Sequence, residues 1–389
     1  MSAAREAAPP AAPGAGAPHT AFGGAFAGKR VLITGHTGFK GAWLGAWLRR
    51  LGAHVSGYAI DVPTTPSLFD TLGGGASIDH HLGDVRDAAA VERVLRRVRP
   101  DYVFHLAAQA IVSTSYDDPL ATLSTNVMGT ATVLDALRRI GHRCTAVVIT
   151  SDKCYENVEW VYGYRETDAM GGKDIYSASK GAAEHVFHAF QRSFFADVDG
   201  PVRLASARAG NVIGGGDWAR DRIVVDCMVQ WAEGRPVEIR SPRATRPWQH
   251  VLEPLSGYLA LAARLQGDPA LHGESFNFGP NAEQNRSVLE LLQDLGRCWG
   301  HDDPSSLYTV TEDRPFNEAG LLKLNCDKAL AQLRWQATLR YDECVRLVGD
   351  WYHAYYRGPR GTDMAALTAQ HIARYEALAA ERGLAWAAR

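Results

Sequence analysis

Residues 150–180 read TSDKCYENVEWVYGYRETDAMGGKDIYSASK and gather most of the reactive side chains of the chain. Tyr176 and Lys180 stand four apart, which on a helix places both on one face. An ammonium beside a phenol favours the phenolate and draws down a pKa of about 10 in isolation. The pair therefore reads as a proton acceptor usable near neutral pH. Ser151, Asp152 and Lys153 add a hydroxyl, an acid and an amine at the start of the same stretch. They follow an apolar run, CTAVVI at 144–149, that reads as a buried strand. Reactive groups in an open parallel sheet collect at the carboxyl ends of its strands.

The preceding segments supply what such groups would act with. Residues 29–34 (KRVLIT) read as a short buried strand. It runs into Gly35-His-Thr37-Gly38-Phe39-Lys-Gly41 and an amphipathic helix through Leu51. Glycines there permit a tight turn and close backbone approach, and the helix start attracts a pyrophosphate. With its flanking strand and helix, the motif reads as a dinucleotide cradle rather than a plain turn. A second strand at 54–60 ends in Asp61, 20 residues after Gly41, the spacing at which a carboxylate takes ribose hydroxyls. Val62 rather than Arg follows it, which favours NAD over NADP. Asp84 and Val85 join a third strand to the helix AAAVERVLRRV, and Asp84 is expected to cap that helix or meet the adenine amine. A fourth strand at 101–107 leads through Leu106, Ala107 and Ala108, small enough to let a cofactor cross the sheet edge, to Gln109, a substrate candidate. His105 reads as a core histidine and Asn126 as a buried strut, since a buried amide must find partners.

Beyond a sixth strand at 204–208 comes AGNVIGGGDW, a glycine-rich stretch expected to be a hinge, with Asn211 donating into the cleft. Arginines 220, 222, 240, 243 and 246 then crowd a short span. Guanidinium groups match a diphosphate in geometry. Arg246, before Pro-Trp-Gln-His250, and Arg220 are the substrate candidates. The pattern as a whole predicts an α/β fold: a Rossmann-type doubly wound parallel sheet with a smaller mixed α/β substrate lobe. The expected boundaries are 28–211 for the NAD-binding domain, with segments near 248–280 returning to it, and 212–247 with 281–358 for the lobe. An Ala/Pro/Gly-rich leader at 1–27 and a helical tail at 359–389 flank them.

The formal charge of −2 over 389 residues, without a dominant basic run, argues against nucleic acid or a membrane surface as partner. No apolar run is long enough to span a bilayer. The 6 cysteines lack CxxC spacing, which reads as reduced thiols in the cytoplasm and no metal site.

Taken together, these motifs resemble the extended short-chain dehydrogenase/reductase enzymes that act on nucleotide sugars, over about residues 28–357. Gly35-x-x-Gly38-x-x-Gly41, His105-Leu-Ala-Ala108, Asn126 and Tyr176-x-x-x-Lys180 mark only that superfamily. GHTGFKG, TSDKCYEN, GYRE, MGGKDIYSASKG, ARAGNVIGGGDW and RPWQHVLEPLSGYL are sharper, and resemble its CDP-glucose 4,6-dehydratase branch. Dehydratases of dTDP-glucose carry Thr-Asp-Glu where this chain has Ser151-Asp152-Lys153. The chain departs from the branch at Ile175, where proline is common, and at Asn317, where a His-Glu-Ala run is common.

The resemblance implies roles. Tyr176 removes the C4 hydroxyl proton while hydride leaves C4 for NAD, Lys180 orients the nicotinamide ribose, and Ser151 bonds the C4 oxygen. Asp152 is the general acid for the departing C6 hydroxyl, and hydride returns to C6, giving a 4-keto-6-deoxy sugar. Lys153 has three readings: base at C5, stabiliser of the enolate, or ion partner of Asp152. The resemblance further implies a homodimer built through the helices after Met128 and Ser177. The rivals are a dehydratase or epimerase for another nucleotide sugar, and a non-catalytic NAD-binding sensor.

Overall fold

A strand such as Arg30–Thr34 (β1), whose last four residues are all buried, can be covered on both faces only in a sheet with helices on each side. The computed structural model, which describes residues 20–281, 283–301, 303–311 and 321–388, shows that arrangement. β1 is joined by His54–Ala59 (β2), Asp79–Leu82 (β3), Tyr102–His105 (β4), Cys144–Ile149 (β5) and Val202–Arg208 (β6). Ser275–Asn277 completes a seven-stranded sheet of order Ser275–Asn277, β6, β5, β4, β1, β2, β3, with every pairing parallel. The order reverses between β1 and β4, the place where this class of sheet opens a crevice for ligands.

The helices that close the two faces are Phe39–Arg50 (α1), Leu68–Thr71 (α2), Ala88–Val98 (α3), Val112–Asp117 (α4), Pro119–Leu123 (α5), Gly129–Leu137 (α6) and Ile175–Phe194 (α7). Ile223–Ala232 (α8), Leu252–Gly267 (α9), Val288–Cys298 (α10), Tyr341–Arg357 (α11) and Met364–Glu381 (α12) follow. One core joins α1, α9 and the later helices against β1, β4 and β5. The other joins α3, α6 and α7 against the opposite face. Short strand pairs lie outside the main sheet: Val212–Ile213 with Gln249–His250, Val237–Ile239 with Tyr308–Val310, and Thr245–Pro247 with Asn285–Ser287. No helix among the described residues is long and apolar enough to cross a membrane.

Two local expectations change. The helix expected at 119–140 is interrupted by a π-turn over Ser124–Met128, which carries Asn126. Residues 21–26, expected inside the leader, are packed: Phe22 stacks on Trp386 beyond α12 with ring centroids 4.9 Å apart, and Phe26 is buried. The aromatic residues inside the Ala/Gly-rich stretch were the available signal, since they can bury area that alanine and proline cannot. The departure at Asn317 lies outside the described residues.

Candidate active site

The strand ends deliver the reactive groups. β5 ends at Ile149, and Ser151 caps a 3₁₀ turn over Asp152–Cys154, its hydroxyl accepting from the Lys153 amide at 3.2 Å. α7 begins at Ile175, capped by Asp174, so Tyr176 and Lys180 occupy successive turns. Ser151, Asp152, Tyr176 and Lys180 are all buried, and Lys153 is half-buried. The Ser151 hydroxyl donates to Asp152 Oδ1 at 3.0 Å and also hydrogen-bonds the Tyr176 phenol. It therefore stands between the tyrosine and the acid. Lys180 Nζ lies 5.8 Å from the Tyr176 ring centroid.

The electrostatics differ from the expectation drawn from Tyr176 and Lys180 alone. Burial pushes the Tyr176 phenol up to about 12; the Ser151 hydrogen bond pulls it back, Asp152 adds to the rise and Arg222 opposes it. Lys180 is itself drawn down to about 8 by burial, opposed by Cys154 and Glu184. Desolvation disfavours both charged forms and is the largest cause at each.

Gly210 explains how Asp152 fits. A Cβ at residue 210 would lie 1.8 Å from Asp152 Oδ2, so the carboxylate rests directly on the glycine after β6. The ARAGN motif is therefore part of the acid's seat. Asn211 follows in the left-handed region, φ 49°, its carbonyl accepting from the Gln249 amide.

The dinucleotide cradle has the shape its sequence predicts. Gly35 has φ 75°, and a Cβ there would meet Ala107 Cα at 2.8 Å, while one on Gly41 would meet the Gly35 carbonyl at 2.2 Å. The α1 N-cap is Gly38, which offers no side-chain cap, so the amides of the first turn are left for a ligand. The Thr37 hydroxyl donates to the Asp61 carbonyl at 2.6 Å, and the Asp61 side chain is exposed at the end of β2. Phe39 opens α1, Val85 is buried, and Leu106, Ala107 and Ala108 lie half-buried after β4. These residues fit a bound NAD.

Asp84, Gln109 and Arg220 are engaged by other partners, whereas His105 and Asn126 hold the structural places expected of them. Asp84 does not cap α3; Asp87 does, accepting from the Ala90 amide, while Asp84 is held by the Arg86 guanidinium at 2.6–3.0 Å. Gln109 is spent on its own turn: its amide nitrogen donates to Ile111 O and Thr122 Oγ1, and its oxygen accepts from the Ile111 amide. Arg220 sits on the surface with Asp117 at 3.0 Å. Arg222, two residues on, is the one whose charge reaches Tyr176, and it is paired to Asp217. Arg246 lies opposite Arg286 in a strand pair and donates to the Thr245 carbonyl at 2.9 Å. His105 is a core residue bonded to Thr34 at 2.7 Å, and Asn126 ties Gln109 to Ser179.

Lys40, in GHTGFKG, was missed. Its ammonium is lowered to about 8 by burial, then by Arg222, with Asp152 opposing, so it faces the same cleft. A lysine in a first helical turn opposes the helix dipole, and that anomaly was readable.

Residues 32–348 match the GDP-mannose 4,6 dehydratase family. The chain is 46% identical to CDP-glucose 4,6-dehydratase of Salmonella typhimurium over 351 residues, covering 90% of this chain and 96% of that protein. Among solved structures, UDP-glucose 4-epimerase of Thermus thermophilus in complex with NAD superposes with a TM-score of 0.69 at 24% identity, over 83% of this chain and 99% of that one. The dTDP-glucose 4,6-dehydratase of Bacillus anthracis in complex with NAD gives 0.68 at 18% identity, over 83% and 96%.

Proposed function

The chain belongs to the GDP-mannose 4,6 dehydratase family and is an NAD-dependent nucleotide-sugar dehydratase, and we propose that its substrate is CDP-glucose and its product CDP-4-keto-6-deoxyglucose. The observation that carries the reading is Asp152 seated on Gly210 beside the Ser151–Tyr176 contact, which puts a carboxyl acid inside a redox site.

The roles of the side chains follow from that placement. The amides of the first α1 turn and Thr37 hold the pyrophosphate side of NAD, and Asp61 takes the ribose hydroxyls. When bound, NAD accepts hydride from C4 of the sugar and returns it to C6, so no external reductant is consumed. Tyr176 takes the C4 hydroxyl proton at its phenol oxygen, and Ser151 holds the C4 oxygen. Arg222 supplies positive charge against the buried phenolate, and the Lys180 ammonium stands 5.8 Å from the ring centroid. The 4-ketone acidifies the C5 hydrogen, and Lys153 is the remaining group of the triplet to receive it. Asp152 gives its proton to the C6 hydroxyl, which leaves as water. Arg246 binds the substrate diphosphate.

Purified protein mixed with CDP-glucose should give a 4-keto product without net consumption of reduced nicotinamide. Turnover of dTDP-glucose with none of CDP-glucose overturns the substrate assignment, and a product that keeps its C6 hydroxyl overturns the reaction. The assembly we propose is a homodimer through α6 and α7 with α5 and the π-turn that precede α6, a surface that leaves Leu120, Met128 and Phe194 exposed at 76%, 58% and 56%. A monomer in sedimentation would rule that out.

A further inference from the structure

The catalytic triplet is held from both sides by one ion pair that no step of the mechanism uses. Glu184 lies on α7 one turn beyond Lys180, and it and Arg208, the last residue of β6, are both fully buried. Their side chains meet at 2.8 Å. Glu184 Oε1 accepts from the Thr150 hydroxyl at 2.5 Å, and Thr150 immediately precedes Ser151. Arg208 Nη1 donates to the Tyr155 hydroxyl at 2.7 Å, and Tyr155 immediately follows the turn of Asp152–Cys154. The Tyr155 hydroxyl donates in turn to Asn277 Oδ1 at 2.8 Å, reaching the edge strand of the sheet. Glu184 Oε2 also accepts from Ser206 at 3.0 Å.

A buried ion pair is weak evidence for stability, because its desolvation cost rivals its attraction. Its value here is geometric. Glu184 shares a rigid helix with Tyr176 and Lys180, while its partners Thr150 and, through Arg208, Tyr155 bracket Ser151, Asp152 and Lys153. We propose that Glu184 and Arg208 are positioning residues that set the distance between the oxidising half of the site, Tyr176 and Lys180, and the dehydrating half, Asp152 and Lys153. The two halves act on C4 and on C5 and C6 of one sugar, so a small slip of the bracketed turn uncouples them. The idea rests on the dehydratase reading for its kinetic test, but not for its structural one.

The test uses Thr150→Val and Tyr155→Phe, singly and together, which remove the two bracket hydrogen bonds and leave the buried charges paired. Thr150→Ser, which keeps the hydroxyl, is the rescue. In the double variant, with CDP-glucose as probe, kcat should fall roughly tenfold to a hundredfold, the cost of misplacement on the ångström scale. KM should change little, and bound reduced nicotinamide should accumulate in the steady state because oxidation outruns dehydration. Thr150→Ser should behave as the parent does. The substrate-free arm follows alkylation of Cys154, fully buried within the bracketed turn, by peptide mapping. Its labelling should quicken while Cys144 and Cys227, buried elsewhere, keep the parent rate. Equal acceleration at all three thiols means a general loss of stability and overturns the proposal, as does parent-like labelling of Cys154. If the parent protein itself leaves CDP-glucose untouched, the substrate reading fails, and the alkylation arm alone decides this one.

Discussion

Gly210→Ala isolates the dehydration step with a single methyl group. The added Cβ would stand 1.8 Å from Asp152 Oδ2, 2.0 Å from its Cγ and 2.3 Å from Oδ1. Ordinary carbon–oxygen contacts begin roughly 1.5 Å further out, so the carboxyl must move by about that distance. Residue 210 has no left-handed backbone to strain, so the effect is confined to the side chain it displaces. A misplacement of about 1 Å can cost about a hundredfold in rate, equivalent to about 2.7 kcal/mol of barrier. Tyr176 and Lys180 sit on α7, away from the new methyl, and should still oxidise C4. Rapid mixing of enzyme, NAD and CDP-glucose should show reduced nicotinamide forming at near the parent rate, followed by a water-loss step about a hundredfold slower. Parent-like dehydration would refute the seat of Asp152 on Gly210 or its role as the acid. Loss of C4 oxidation to the same degree would refute the separation of the two halves.

The other expectations concern the charges themselves. Asp152→Asn keeps the shape but cannot donate an acidic proton, so C4 oxidation should persist while water loss falls by roughly two to four orders of magnitude; quenched-flow product analysis checks this, and undiminished dehydration overturns it. Lys180, drawn down to about 8, should lose its proton as pH rises through that value, giving kcat an alkaline limb near 8. Lys180→Arg should move that limb out of range even though its rate is lower; an unmoved limb assigns the titration to another group. The sign for stability is opposite. Between about 8 and the unperturbed value near 10.5 the unfolded chain binds more protons at this lysine than the folded one, so its burial penalty fades and stability rises with pH there.

The Rossmann sheet was legible because its signals are local. Apolar runs and a glycine loop each act within a few residues, and β5 falls where its run of apolar residues puts it. The reactive side chains were legible by type, since few residues can take or give a proton near neutral pH. What stayed hidden depends on who bonds to whom across the fold. Gln109 looked available, but its amide closes a turn with Ile111 and Thr122. Arg220 and Arg222 are indistinguishable in the sequence; the buried Asp217 takes one, and Asp117 holds the other on the surface.

Tyr176 shows the same limit in its chemistry. Spacing alone put an ammonium beside a phenol and implied a lowered pKa, whereas the fold buries both and moves each toward its neutral form. A site that must make a phenolate has thus been built where phenolate is costly. Burial at Tyr176 raises the cost, while the Ser151 hydroxyl between tyrosine and acid and the Arg222 charge lower it. The charged form is favoured where a bound oxidised nicotinamide would bring its own positive charge to the same cleft.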